Sequence, residues 1–341
     1  MDLSRLPRKF SKPITTVDSH TEGEATRLIV DGIGDIPGKT MMEKLSLFKS
    51  KYDHVRLLLT SEPRGREVLV AMLTENVSPG ASFGLIYMDA KRYPYLCGHA
   101  TIGAVTTLGA TGYIEFHEGE NKVYVDTPSG IMDARVTVKD GEIVSVAVLM
   151  VPSFVFAIDK RIHVEGFGDI LVDLVCTGGF FAMVEGSRIG IDPVIENRDV
   201  LVDLGMKIID AANDQLQVQH PLNRDVNTVD VTEFYTSEIV DGQARGRGVV
   251  IYGESHMDRS PCGTGTASKL ALLHHRGELD MHRPYINFSP LGTSFRAFLV
   301  EKTRVGELDA VVTQIEGRAW ITGIHKFLIE PTDPFQQGFI L

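Results

Sequence analysis

Short apolar runs rich in Val, Ile, Leu and Phe, each bounded by Gly, Pro or polar residues, dominate the chain. VRLLLT (55–60), VLVAML (68–73), GLIYMD (84–89), KVYVDT (122–127), ARVTV (134–138), VSVAVLMV (144–151) and RGVVIYG (247–253) have the length and punctuation of strands. Helical periodicity is rarer. GKTMMEKLSLFKSKYD (38–53) and NRDVLVDLGMKIIDAAND (197–214) space their apolar residues three and four apart, which predicts two amphipathic surface helices.

A third kind of pattern is a repeat. Cys97-Gly98 superposes on Cys262-Gly263 at an offset of 165 residues, Thr101 then falls on Thr266, and Gly112 falls on Gly277. Between these points both segments run through about three helical turns, and the glycines stand where a left-handed C′ residue ends a helix. TPSG at 127–130 faces SPLG at 289–292 at an offset of 162. An offset near half the chain predicts two related halves.

The start of each repeated helix is where chemistry concentrates. A thiol beside a helix N-terminus sits at the positive end of the dipole, which favours the thiolate over the ordinary thiol pKa of about 8.5. First-turn amides without intrahelical acceptors offer a seat for an anion such as a carboxylate. If the halves face each other, two helix ends grip one carboxylate with a thiol on either side. Such a site removes the α-proton of an amino acid on one face and returns a proton on the other. Cys176, in CTGGFF with no counterpart in the repeat, reads as a buried hydrophobe.

Composition narrows the remaining classes. A formal net charge of −11 with no basic cluster beyond the N-terminal arm argues against nucleic acid and anionic membranes. SVAVLMVPSFVFAI (145–158), the most apolar window, is too short to span a bilayer and is broken by Pro152. Three cysteines behind a basic start, MDLSRLPRKFSKPITTVDSH, with no continuous apolar run predict a reduced, cytoplasmic protein. Asp18, His20, Glu22 and Glu24 of DSHTEGE could be taken for a metal cluster, but their spacing matches no metal motif, and neither metal nor cofactor is expected.

DSHTEGE (18–24), EPRG (62–65), CGHATIG (97–103), NTVD (227–230), DRSPCGTGT (258–266) and PTDPF (331–335) together closely resemble the proline racemase family over nearly the whole chain. That resemblance implies an α+β, diaminopimelate-epimerase-like fold. Its two pseudo-symmetric halves are each a curved sheet wrapped around a central helix. It places residues 1–138 with 312–341 in the half carrying Cys97, and 142–311 in the half carrying Cys262. It implies Cys97 and Cys262 as the catalytic acid and base, and amides of Gly98, His99, Gly263 and Thr264 on the substrate carboxylate. His99 and Asp258 would contact the substrate nitrogen; read alone, His99 could be a helix cap and Asp258 a turn partner of Arg259. DSHTEGE is implied to be an ordered loop near the cleft, and the assembly a homodimer.

In this family a Ser or Thr at the first cysteine marks trans-3-hydroxyproline dehydratases, whereas both positions here are Cys, which favours racemisation or 2-epimerisation of proline or 4-hydroxyproline. Around the ring, where proline racemases commonly present Phe, Cys and Phe, this chain has Leu69, Val231 and Tyr252. Two rivals remain at the level of sequence. One is a catalytically silent amino-acid-binding protein of the same fold. The other is a nucleotide-binding protein reading Gly263-Thr264-Gly265, weakened because Ser268 stands at the third glycine of that motif.

Overall fold

The computed structural model describes residues 13–66, 68–253 and 255–339. The basic N-terminal arm, on which the reduced, cytoplasmic reading partly rests, lies mostly outside them. Two compact units emerge: one runs to Val146 and takes the chain back at Arg318, and the other is Ala147–Gly317.

In the first unit, β1 (Ile14–Thr21) and β2 (Glu24–Asp31) form a hairpin, and α1 (Met41–Thr60) leads to β3 (Leu69–Thr74) and β4 (Phe83–Met88). The central helix α2 (Gly98–Ala110) follows, then β5 (Gly119–Thr127) and β6 (Gly130–Lys139). Pairing runs β1–β2 antiparallel, β2–β3 parallel, β3–β4 antiparallel, β4–β5 parallel and β5–β6 antiparallel. Helix α2 is buried from Gly98 to Leu108, and β1, β2 and β3 pack around it. A helix so uniformly small and apolar has no solvent face, and it sits at the centre of its sheet for that reason.

β7 (Glu142–Leu149) carries the chain into the second unit. There β8 (Ser153–Val164), β9 (Gly168–Cys176) and β10 (Phe180–Glu185) precede a short α3 (Gly186–Ile189) and the outer helix α4 (Arg198–Gln215). β11 (Val229–Val240), β12 (Gln243–Tyr252) and a two-residue β13 (His256–Met257) lead to the second central helix, α5 (Gly263–His275), then β14 (Tyr285–Phe288), β15 (Ser294–Val305) and β16 (Leu308–Gly317). β9–β10 pair antiparallel, β10–β11 parallel, β11–β12 antiparallel, β12–β14 parallel and β14–β15 antiparallel, the same order of connections as β1 to β6. The repeat read from two short motifs thus extends to the whole connectivity. β15–β16, β16–β8 and β8–β9 close the ring around α5. β17 (Ala319–Phe327) returns to pair with β1 in the first unit.

Both central helices end as the sequence predicts, with Gly112 at φ +73° and Gly277 at φ +74° just past their C-caps. VRLLLT does not form the expected strand. It is the last part of α1, which bends at Tyr52 and buries Phe48, Val55, Leu58 and Leu59 against Ile29, Val70, Met72 and Ile86. The three- and four-residue spacing that starts upstream continues through these residues, so the helix period wins over the local apolar run. Among the described residues no helix is long and apolar enough to cross a membrane.

DSHTEGE is also not the expected loop. It is the β1–β2 hairpin itself, turning at Glu22 (φ +48°) and Gly23 (φ +106°). Its polar side chains are engaged within the unit. Asp18 holds Arg27 through bonds of 2.9–3.2 Å, His20 stacks on Trp320 at 5.1 Å, and Glu22 accepts from the Arg318 amide. Arg27 also donates to the Leu59 and Arg64 carbonyls. Arg64 of EPRG in turn pairs with Asp333 of PTDPF and donates to the Phe335 carbonyl at 2.9 Å. Three of the motifs quoted above are therefore one structural tie.

Candidate active site

Each repeated cysteine occupies the N-cap of its central helix. Cys97 precedes Gly98 with an extended backbone (φ −152°, ψ 114°), and its side chain does not cap the helix. Its Sγ lies 3.3 Å from His99 Nδ1, and the His99 carbonyl accepts from Thr21 Oγ1 at 2.8 Å. His99 therefore stands in the first turn beside the thiol, and the cap position it could have filled belongs to Cys97. Thr101 donates back to the Cys97 carbonyl through both its amide and its hydroxyl, and Tyr87, fully buried on β4, meets that hydroxyl at 2.6 Å.

Cys262 sits at the matching position with a different backbone. Its φ is +56° and ψ 120°, in the left-handed half of the map, where a non-glycine residue stores on the order of 1–3 kcal/mol. Contacts on both sides hold it there. Ser260 donates to Asp258 Oδ1 from its amide and its hydroxyl, both at 2.8 Å, and the Cys262 amide donates to Ser260 Oγ at 3.1 Å. On the helix side the Gly265 amide donates to Cys262 Sγ at 3.4 Å, and Thr264 Oγ1 lies 3.5 Å from the sulfur. The Thr266 amide closes the first turn on the Cys262 carbonyl, as Thr101 does on Cys97. Asp258, buried to 2% exposure, is thus linked to Cys262 through Ser260.

The acidity expected of a helix-start thiol does not hold at Cys262. Burial pushes this thiol well above its usual range, and the Asp258 and Glu233 carboxylates push it further. The bonds from Thr264 and the Gly265 amide pull the other way and are outweighed. Removing the sulfur from water costs more than these first-turn bonds return. Cys176 is buried on β9, with its thiol pushed up to about 12 by burial, in keeping with an inert core residue.

Of the three ring-pocket candidates, Val231 on β11 and Tyr252 on β12 are direct cross-strand partners. Tyr252 also lies against the His256 ring at 4.7 Å. Leu69 is the buried first residue of β3 in the first unit, paired with Thr26. Sequence reasoning missed a group deeper in the second unit: Glu233, Lys269 and Asn287, all fully buried around α5. The available signal was Glu233 falling in phase with Val231 and Tyr235 on the helix-facing side of a strand, and Lys269 interrupting the apolar run of α5.

Likeness to known proteins gives the class. The chain is an isomerase-class enzyme, α+β in fold. It belongs to the proline racemase family, whose sequence model matches residues 16–340. The proline racemase of Clostridioides difficile is 40% identical over 334 residues, covering 98% of this chain and 99% of that protein. The 4-hydroxyproline 2-epimerase of Streptosporangium roseum is also 40% identical, over 326 residues, covering 95% and 97%. Among solved structures, a hydroxyproline epimerase from Agrobacterium vitis with bound trans-4-hydroxy-L-proline superposes with a TM-score of 0.89 at 30% identity, covering 98% of this chain and 96% of its own.

Proposed function

We propose that the protein racemises or 2-epimerises a five-membered-ring amino acid, proline or 4-hydroxyproline, by proton transfer between two thiols and the α-carbon. The observation that carries this reading is the repeated one: a cysteine at the N-cap of each of two central helices with the same surrounding connectivity. One cysteine as thiolate takes the α-proton, while the other as thiol delivers its own proton to the opposite face of the carbanion. The thiol and thiolate have then exchanged places, and the enzyme is ready for the reverse direction. First-turn amides of Gly98, His99, Gly263 and Thr264 bind the substrate carboxylate and take up charge as the α-carbon loses its proton. His99 and Asp258 receive the substrate ammonium. The relatives that are a proline racemase and a 4-hydroxyproline 2-epimerase support the substrate class.

The test is exchange in D₂O. Incubating the enzyme with L-proline or trans-4-hydroxy-L-proline should replace the α-proton by deuterium and generate the opposite α-configuration, both read by NMR. Loss of a ring hydroxyl as water from 3-hydroxyproline with no α-epimerisation would assign the dehydratase reaction instead, and binding without exchange would assign a silent binding protein.

Ring selectivity rests on Val231, Leu69 and Tyr252. An apolar wall rejects an added hydroxyl only weakly, whereas a group that bonds the hydroxyl favours it. Tyr252→Phe should therefore lower kcat/KM for trans-4-hydroxy-L-proline and spare L-proline. The difference should be that of one hydrogen bond, roughly 0.5–1.5 kcal/mol. Equal losses on the two substrates would reduce Tyr252 to a shaping role.

A further inference from the structure

β11 alternates between two packing partners. Thr232 and Phe234 face the outer helix α4, where Thr232 Oγ1 donates to the Gly205 carbonyl at 2.9 Å, while Glu233 points the other way, toward α5. Glu233 is fully buried, and neither carboxyl oxygen has a hydrogen-bond partner among the described residues. Its carboxyl lies against two glycines. A Cβ on Gly248 would stand 2.6 Å from Oε1, and a Cβ on Gly265 2.8 Å from Oε2. Gly265 is the residue whose amide donates to Cys262 Sγ.

Lys269, also fully buried, answers Glu233 from α5 at 3.9 Å, too far for a hydrogen bond. Its ammonium instead donates to the Arg247 carbonyl at 3.1 Å and to Asn287 Oδ1, and it lies 5.6 Å from the centre of the Tyr285 ring. Asn287 passes the link on, donating to the Pro261 carbonyl at 3.1 Å and to Thr266 Oγ1 at 2.7 Å. A charged pair is thus wired on both sides of Cys262, through Pro261 before it and Gly265 after it. In the first half the repeat-equivalent of Lys269 is Ala104, so this wiring belongs to the second cysteine alone.

We propose that Glu233 is a positioning residue that opposes the thiolate of Cys262, with Lys269 the cation that favours its ionised carboxylate. The carboxylates that face Cys262 are those of Asp258 and Glu233, with the Thr264 hydroxyl and Gly265 amide as donors. Glu233 itself faces Lys269 and Asp258. Burial pushes Glu233 up to about 7 and Lys269 down to about 8, so the charge beside Cys262 becomes more negative as pH rises through neutrality. The Cys262 thiolate, pushed well above its usual range, therefore forms beside a Glu233 that is already ionised. The kinetic consequence rests on the two-thiol reading above; the effect on the thiol does not.

The test titrates Cys262 as the only thiol, in the full chain carrying Cys97→Ser and Cys176→Ser, by thiolate ultraviolet absorbance. Glu233→Gln should move the midpoint down, because a nearby opposing charge is gone, and by less than Asp258→Asn does, since Asp258 is the stronger of the two opposing carboxylates. Where Glu233→Gln does not fold, Glu233→Leu removes the same charge without leaving a buried amide unpaired and carries the same expectation. An unchanged midpoint in the variant that folds overturns the proposal. In enzyme with all three cysteines, Glu233→Gln should shift the acid limb of kcat/KM in one reaction direction only. An equal loss in both directions with no shift in the titration would leave the pair a purely structural role and overturn the proposal. Absence of turnover in the wild type would overturn the reaction and leave the titration to decide on the pair.

Discussion

Cys97→Ser and Cys262→Ser should each lower racemisation by about 10²–10⁴-fold, the usual span for losing one general acid or base. A serine hydroxyl is far too weak an acid to alternate with a thiolate at neutral pH. Neither change should unfold the chain, since both keep the side-chain shape and the N-cap site tolerates a hydroxyl. The two losses should appear with substrates of either α-configuration, because each turnover uses one cysteine as base and the other as acid. Rates of conversion of each enantiomer into the other, alongside circular dichroism, make the measurement. Near wild-type turnover in both directions from either variant would remove the two-thiol mechanism. Cys176→Ser is the internal control and should leave turnover largely intact, since that thiol lies in the core on β9.

The largest expected loss of stability lies elsewhere in the second unit. Asp173 on β9 is fully buried and depends on Arg276, just past α5, for a bond of 2.7 Å; Arg188 stands further off at 3.6 Å, and the Asp159 amide also donates to it at 2.9 Å. Arg276 also donates to Tyr235 Oη at 3.0 Å. Arg276→Met should destabilise the protein by roughly 3 kcal/mol, because it leaves a buried carboxylate with only its more distant cation. Adding Asp173→Asn should recover part of that loss. Urea unfolding of the two variants checks both statements, and a single change costing no more than a surface substitution would show that Arg188 alone satisfies Asp173.

How far the chain could be read before folding depends on which interactions are local. The Cys-Gly starts and the Gly112 and Gly277 stops are set within a few residues of the chain, and they fix both central helices. VRLLLT was ambiguous locally, because six apolar-rich residues fit a strand as well as the end of a helix whose beginning lies fourteen residues earlier. The roles of Asp18, Arg64 and Asp333 were not legible, since their partners lie up to 269 residues away and only the fold brings them together. Cys262 acidity failed for a related reason. The first-turn bonds to its sulfur belong to its own helix, whereas the burial and the two carboxylates that outweigh them come from the strands and turn around that helix.

Glu233 also constrains how this chain can vary. Its Oε1 occupies the space that a methyl group would need at Gly248, and at Gly265 its Oε2 shares that space with Val250 Cγ2, each 2.8 Å from where the methyl would stand, so an alanine at either position has to displace the buried carboxylate. Shortening position 233 frees the space at Gly248, whereas Val250 still crowds Gly265. Positions 233 and 248, on neighbouring strands, are therefore coupled. An alanine accepted at 248 in a relative lacking the glutamate would crowd the carboxylate here, so the order in which substitutions accumulate bears on which of them this fold accepts.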